Sequence, residues 1–302
     1  MKKSSSSFWP RAALFSASLI WGSSFVAMKD AVGVFPVNML LAFRFGISFL
    51  LFCIIFLRRL KTITTDYLRK TALIGFFLYA AYIMQTFGLK GTTPGKNAFL
   101  TAAYVILVPF IHWLAGKRKP AARNLIAALI CLVGVGLISF VSPGDAGAIE
   151  RLSIGIGDGF TLGGAFFFAA HIVLLGLFTK DKDPVLITLL QFGFCALYFS
   201  LTSFFFEAPP GPVAISGWLN LLYLALLCTS LAMLFQNYGQ KHVSPASAAI
   251  IMSLEAVFGV MFSVLLYGDT LTPRLVLGFA LVFAAILVSE VQIKHKKTAT
   301  EG

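Results

Sequence analysis

Gln85-Thr86-Phe87-Gly88-Leu89-Lys90-Gly91-Thr92-Thr93-Pro94 aligns without a gap to Gln236-Asn237-Tyr238-Gly239-Gln240-Lys241-His242-Val243-Ser244-Pro245, at a constant offset of 151 residues. Gln, Gly, Lys and Pro are identical, and Phe87/Tyr238 and Thr93/Ser244 are near-identical. Apolar sequence aligns to itself easily, but these matches are mostly polar residues, Gly or Pro. The same offset pairs Arg123 with Arg274, and an offset of 150 sets Trp21 opposite His171. The chain reads as a duplication, residues 1–150 and 151–302.

The medium follows from composition. The 302 residues are 58% hydrophobic and 12% charged, with a mean hydropathy of +0.88, whereas a soluble domain is about one quarter charged. A soluble fold has no polar shell to cover so much apolar surface. A bilayer core of roughly 30 Å takes about 20 apolar residues per helix. Runs of that kind fall near 12–31, 36–57, 70–89, 94–114, 121–141, 158–178, 184–206, 217–238, 245–266 and 273–292. Thr93-Pro94 and Ser244-Pro245 open two of them as hydroxyl N-caps with proline at the first helical position.

Charge fixes the expected orientation. With the N-terminus in the cytoplasm, 18 Lys and Arg fall on the cytoplasmic side and 5 on the other, as the positive-inside rule requires. Nine or eleven spans would put the basic C-terminus outside. The expectation is therefore an all-α integral membrane protein of ten transmembrane helices in the cell membrane, with both termini cytoplasmic. The net charge of +12 sits in short clusters between apolar runs, which excludes a nucleic-acid-binding face. The run after Met1-Lys2-Lys3 continues past Trp21 to Met28 without a small-x-small cleavage site, so it reads as an uncleaved first span. No loop is long enough for a separate soluble domain.

Five spans per half is an odd number, so the second half enters the membrane upside down. Inverted repeats are a signature of secondary transporters, whose site lies at the repeat interface near the midplane. Two inverted five-helix repeats around a central cavity are the expected architecture.

Polar groups at bilayer depth mark that cavity, because lipid penalises them by about 2.5–3.5 kcal/mol for a charge at helix centre. Glu255 falls mid-span, opposite Tyr104 by the 151 offset. It is a candidate for a substrate amine or a proton, with a structural carboxylate as the alternative. Asn97, Thr101 and Tyr104 recur at i, i+4 and i+7 on one helix face, and Tyr82 and Gln85 share another. Gln236 is the mate of Gln85. With Trp21 and His171 these residues form the candidate lining, against the alternative of ordinary interhelical hydrogen bonding. Arg44, roughly 12 Å into its span, is expected to be a structural charge paired with helix ends or a carboxylate. A role as counter-ion to a substrate carboxylate is its alternative.

Other motifs carry less. Cys53, Cys131, Cys195 and Cys228 lie in apolar runs without a CxxC pair, and His112, His171, His242 and His295 form no ligand set. No metal or cofactor is expected. Gly155-x-Gly157-x-Gly159 lacks the third Gly of a dinucleotide fingerprint and follows no strand. Gly155, Gly159 and Gly163 read instead as a small-residue ridge for close helix packing.

Several of these features resemble the EamA family of the drug/metabolite transporter superfamily. The resemblance spans nearly the whole chain. It rests on Trp21-Gly22-Ser23, Arg44, Gly88-Leu89 with Thr93-Pro94 and Ala98, Pro109, Leu254-Glu255-Ala256 and Tyr267-Gly268-Asp269. The family often has Glu where Asp269 stands, and the matching exit of the first half, Gly116-Lys117-Arg118, is basic here. The resemblance implies a ten-helix exporter or permease for small metabolites, often amino acids or related compounds.

The expected function is secondary transport of a small neutral or zwitterionic solute, with protons as a candidate coupling partner and lipids as surroundings. Export of lipophilic cations is the alternative; the resemblance implies that such a carrier would rely on a carboxylate in the first span, as small multidrug carriers of the same superfamily do, and here that span carries no acid before Asp30. A membrane-embedded transferase would need clustered acids or His at the surface, and the loops hold only scattered ones with no DxxD pair.

Overall fold

The computed structural model describes residues 8–92, 94–115, 119–139, 155–267 and 272–290. Among the described residues every regular element is helical, as expected where lipid offers the backbone no partner. The first half contains α1 (Phe8–Val34), α2 (Val37–Ile55), a 3-10 segment (Leu57–Thr62) and α3 (Thr65–Lys90). It continues with α4 (Pro94–Ala102), α5 (Tyr104–Leu114) and α6 (Ala122–Ser139). The second half contains α7 (Ile156–Phe178), α8 (Pro184–Phe206) and α9 (Ile215–Tyr223). A π-helical stretch, Leu224–Leu231, carries α9 into α10 (Ala232–His242), followed by α11 (Pro245–Met252), α12 (Leu254–Tyr267) and α13 (Pro273–Glu290).

Seven helical runs are long and apolar enough to cross a membrane. Shorter apolar helices, Ala122–Leu137, Pro245–Gly259 and Pro273–Ser289, fall on the remaining apolar runs. The chain is a multi-pass helical membrane protein. Thr93, Gly116 to Arg118, Gly268-Asp269 and the basic termini lie outside the described residues.

Helix ends are capped as the sequence dictates at several points. Ser244 accepts from Ser247 N at 3.2 Å with Pro245 following, and Asp183 accepts from Val185 N at 2.9 Å ahead of Pro184. Helix α2 follows Pro36 and has no cap of its own. Glu207, just past α8, supplies one: its carboxylate accepts from Asn38 N (2.8 Å), Asn38 Nδ2 (2.9 Å) and Met39 N (2.8 Å).

Close contacts fix the relative direction of α1 and α7. A Cβ on Gly88, near the end of α3, would lie 2.1 Å from Thr161 Oγ1 and 2.7 Å from Gly157 O at the start of α7. A Cβ on Gly239, near the end of α10, would lie 2.5 Å from Leu14 Cγ and 2.8 Å from Pro10 O at the start of α1. Gly239 is the 151-residue mate of Gly88, and Thr161 is the mate of Pro10. At the other end of α1, Lys29 Nζ donates to Leu89 O (2.6 Å) and Thr92 O (2.9 Å), beside the end of α3. So α1 starts where α10 ends and finishes where α7 starts. The two helices run in opposite directions.

Two sequence expectations change. The glycines of α7 that approach α3 closely are Gly157 and Gly164, which face the backbone atoms Gly88 O and Gln85 N, and Gly163, which meets the Met84 side chain, whereas Gly159 has open space and Gly155 meets only Asp158. The face of α7 that meets the α3 backbone is therefore Gly157, Thr161 and Gly164, at i, i+4 and i+7; of the expected ridge Gly155, Gly159 and Gly163, only Gly163 packs against α3, and it does so against a side chain. The runs 94–114 and 245–266 are also not single unbroken α-helices. At Ala103 the ladder tightens, with Ala103 N bonding Leu100 O (3.2 Å) and Ile106 N bonding Ala103 O (3.1 Å). At Ser253, Ala256 N bonds Ser253 O (3.2 Å) while the hydroxyl bonds back to Ile250 O (2.7 Å). Discontinuities at matching depth are where transporter folds build their sites.

Candidate functional site

A central cavity of about 690 Å³, a volume that includes its opening, lies among helices of both halves. It is bounded by two large apolar clusters, and Trp21 and Phe168 pack against both. Trp21, Arg44, Tyr82, Gln85, Asn97, Thr101, Tyr104, His171, Gln236 and Glu255 all line it. The structure thus gathers every residue singled out above as lining or structural charge into one space.

The polar wall on α3 and α4 is internally bonded. Gln85 Nε2 donates to Thr101 Oγ1 (3.1 Å), and Asn97 Nδ2 donates to Gln85 O (3.1 Å) and Thr161 Oγ1 (2.8 Å). Asn97 Oδ1 keeps no protein partner. Trp21 Nε1 donates to Cys228 O at 2.9 Å. His171 Nε2 lies 3.4 Å from Gln191 Oε1, with Nδ1 unbonded.

Arg44 is 2% exposed, and it pairs with neither a helix end nor a carboxylate but with the interior of the π-helical stretch. Its guanidinium donates to Thr229 Oγ1, to Cys228 O at 3.3 Å and to Met28 Sδ at 3.5 Å, and lies 5.1 Å from the Tyr82 ring centroid. The π-helical stretch creates the two oxygen acceptors. Its wider turn lets Thr229 Oγ1 bond Leu224 O, five residues back, and turns Cys228 O toward both Arg44 and Trp21. Five guanidinium N–H groups are available, and three bonds, one to a thioether, leave capacity unspent.

Glu255 occupies the first turn of α12, just after the Ser253 interruption, and its mate Tyr104 opens α5 after Ala103. Among the described residues Glu255 accepts no hydrogen bond, and neither Glu255 nor Arg44 takes part in an ion pair. The cavity therefore holds one cationic and one acidic side chain, each without an opposite charge.

The lining is lopsided. Met28, Thr86, Leu89 and Asn97 face the cavity toward the end where α3 finishes. Their 151-residue mates Thr179, Asn237, Gln240 and Ala248, buried like them, do not line it. Sequence reasoning missed Ser24, which follows Trp21 by three residues, and Thr86, beside Gln85. It also missed Met28, Leu78, Met233 and Met252, whose apolar side chains resemble lipid-facing ones. Outside the cavity it missed the buried ion pair between Lys96 Nζ and Asp158 Oδ2 (2.7 Å), which joins the starts of α4 and α7. No cluster of three or more His, Cys, Asp or Glu suited to a metal occurs among the described residues.

A polytopic helical bundle with a largely apolar cavity that holds a few polar and charged groups has the form of a membrane carrier, and comparison with known proteins gives the class. The model of the EamA-like transporter family matches twice, over residues 9–140 and 155–290, and the chain belongs to that family. It is 30% identical over 279 residues to an uncharacterised transporter of Archaeoglobus fulgidus, covering 91% of this chain and 84% of the relative. The uncharacterised inner membrane transporter YedA of Escherichia coli is 27% identical over 284 residues, covering 92% and 89%. YyaM, an uncharacterised transporter of Bacillus subtilis, is 25% identical over 299 residues, covering 95% of each. A solved crystal structure with 18% identity superposes with a TM-score of 0.75, covering 93% of this chain and 96% of its own, and shows the same fold. Family and relatives point to a transporter rather than an enzyme.

Proposed function

We propose that this protein is a secondary carrier that exports a small neutral or zwitterionic metabolite by alternating access, with protons as the coupling ion. Ten crossings in two inverted repeats, residues 1–150 and 151–302, carry both termini in the cytoplasm of the cell, the arrangement the basic loops favour. The observation that carries the reading is the cavity itself. Polar and charged residues from α1 to α5 and from α7, α10 and α12 converge there, and each is costly in lipid unless it serves a purpose. An uncompensated guanidinium and an uncompensated carboxyl suit a solute with an anionic and a cationic or donor pole. The apolar remainder of the wall suits an apolar body. Opposite directions of α1 and α7 supply the symmetry by which the cavity alternates between sides.

Reconstitution in liposomes tests this, with labelled amino acids and related metabolites under imposed pH gradients. Flux of at least one such solute, responsive to the gradient and lost in Glu255→Gln, is expected. Unchanged flux and pH response in Glu255→Gln would remove the role given to that carboxyl. The unpaired Glu255 also favours a second reading, export of lipophilic cations, which Arg44 in the same wall opposes. Tetraphenylphosphonium flux in the same vesicles discriminates the two.

A further inference from the structure

Beyond the cavity, toward the end where α10 finishes, lies a seam of buried amides that the present arrangement leaves unsatisfied. Gln236 lines the cavity, and Gln240 follows it by one turn on the same face of α10. Gln240 is 2% exposed, and neither of its amide atoms has a hydrogen-bond partner. Asn237, wholly buried, donates to Thr188 Oγ1 at 2.7 Å but leaves Oδ1 unbonded, and Gln191 on α8 leaves Nε2 unbonded. Buried polar atoms of this kind are rare in folded proteins and need a reason.

Internal symmetry supplies one. The mates of Asn237 and Gln240 are Thr86 and Leu89, which line the cavity at the opposite end. When two inverted repeats exchange conformations, a residue of one half takes the environment that its mate has now. We infer that Asn237 and Gln240 form the cytoplasmic-side wall of the solute path, sealed in this conformation and opened in the other. Their amides then meet the solute's polar groups or solvent. This wall begins at Gln236 and carries an amide, Gln240, where the opposite end has the apolar Leu89. The inference rests on the carrier reading and extends it to a state this structure does not adopt.

Single cysteines at position 240 and, separately, 237 test it, in a background with the four native cysteines replaced, alongside Ser24→Cys in the outer half of the cavity. Each is treated with a membrane-impermeant maleimide on right-side-out and on inside-out vesicles. Labelling of Gln240→Cys or Asn237→Cys at least tenfold faster from the cytoplasmic face, with the reverse for Ser24→Cys, is expected. Gln240→Leu should raise the apparent melting temperature by relieving the unbonded amide, while slowing liposome flux at least fivefold. Failure of both inner cysteines to react in vesicles that transport overturns the inference and leaves the carrier reading intact. Labelling as expected without flux of any tested solute supports the path and counts against the choice of substrate class. Gln240→Leu with unchanged flux also overturns it.

Discussion

Helix α3 and the helical run from Ile215 to His242 hold corresponding places in the two halves, yet they are built differently. The first is α-helical over all 26 residues, while the second widens into a π-helix from Leu224 to Leu231. A regular helix spends its carbonyls on its own ladder. The widened turn turns Ala225 O toward Ser48 Oγ (2.9 Å) and Cys228 O toward Trp21 Nε1 and Arg44. The two runs thus share a frame, and the π-helical departure in one of them supplies the acceptors that hold Arg44 in the cavity wall.

The strongest test of such departures lies at the junctions flanking α3 and α10. Lys96 at the start of α4 pairs with buried Asp158, whereas its mate is Ser247. Asp158→Asn should cost about 3–5 kcal/mol, because removing one partner leaves a charge in a site built for two. The double change Lys96→Ser, Asp158→Ser, which removes both charges, should recover most of it in detergent unfolding. A single-variant loss too small to measure would mean that the two junctions are equivalent.

Glycine substitutions come next. Gly88→Ala meets Thr161 Oγ1 at 2.1 Å and two backbone atoms, Gly157 O at 2.7 Å and Thr161 N at 3.0 Å, whereas Gly239→Ala meets the Leu14 side chain at 2.5 Å and one backbone atom, Pro10 O, at 2.8 Å. Both should lower the unfolding midpoint, with losses of about 1–3 kcal/mol and the larger one at Gly88. Equal losses would erase that distinction.

Trp21 and His171 are mates with unequal bonds. Trp21→Phe should cost about 1 kcal/mol for the hydrogen bond to Cys228 O. His171→Phe should cost less in bonding, its contact with Gln191 being 3.4 Å.

Smallest of all is Lys182→Ala, in the exposed cluster that joins Lys182 and Lys70 to Asp66. The hydrogen bond to Asp66 holds the Lys182 ammonium above its ordinary value. Any stabilisation is therefore complete at neutral pH and is lost only as pH rises through the lysine range. Unfolding of the variant and the parent should coincide at physiological salt.

Much of this architecture is legible in sequence because lipid enforces simple rules. Apolar runs of spanning length, proline after a hydroxyl cap and a gapless polar repeat each have one ready physical meaning. The polar lining was legible for the same reason, since Asn97, Gln236 and Glu255 have no cheap place facing hydrocarbon. Met28 and Met252 were not, because an apolar side chain looks the same whether it faces lipid or a cavity. The interruption at Ala103 carries no Gly or Pro to announce it, and the π-helix depends on tertiary bonds to Arg44, Ser48 and Trp21. Of the α7 ridge only Gly163 meets α3, because glycine spacing alone does not say which face turns toward it.

Synthesis order gives the Glu207 bridge a further meaning. The amides of Asn38 and Met39 are made 169 and 168 residues before the carboxylate that receives them, so a nascent chain stopped at the middle leaves the start of α2 bare. Assembly of the first half must therefore finish after translation of α8, and a ribosome-stalled fragment ending near residue 140 should be more protease-sensitive around Pro36 than the full-length protein.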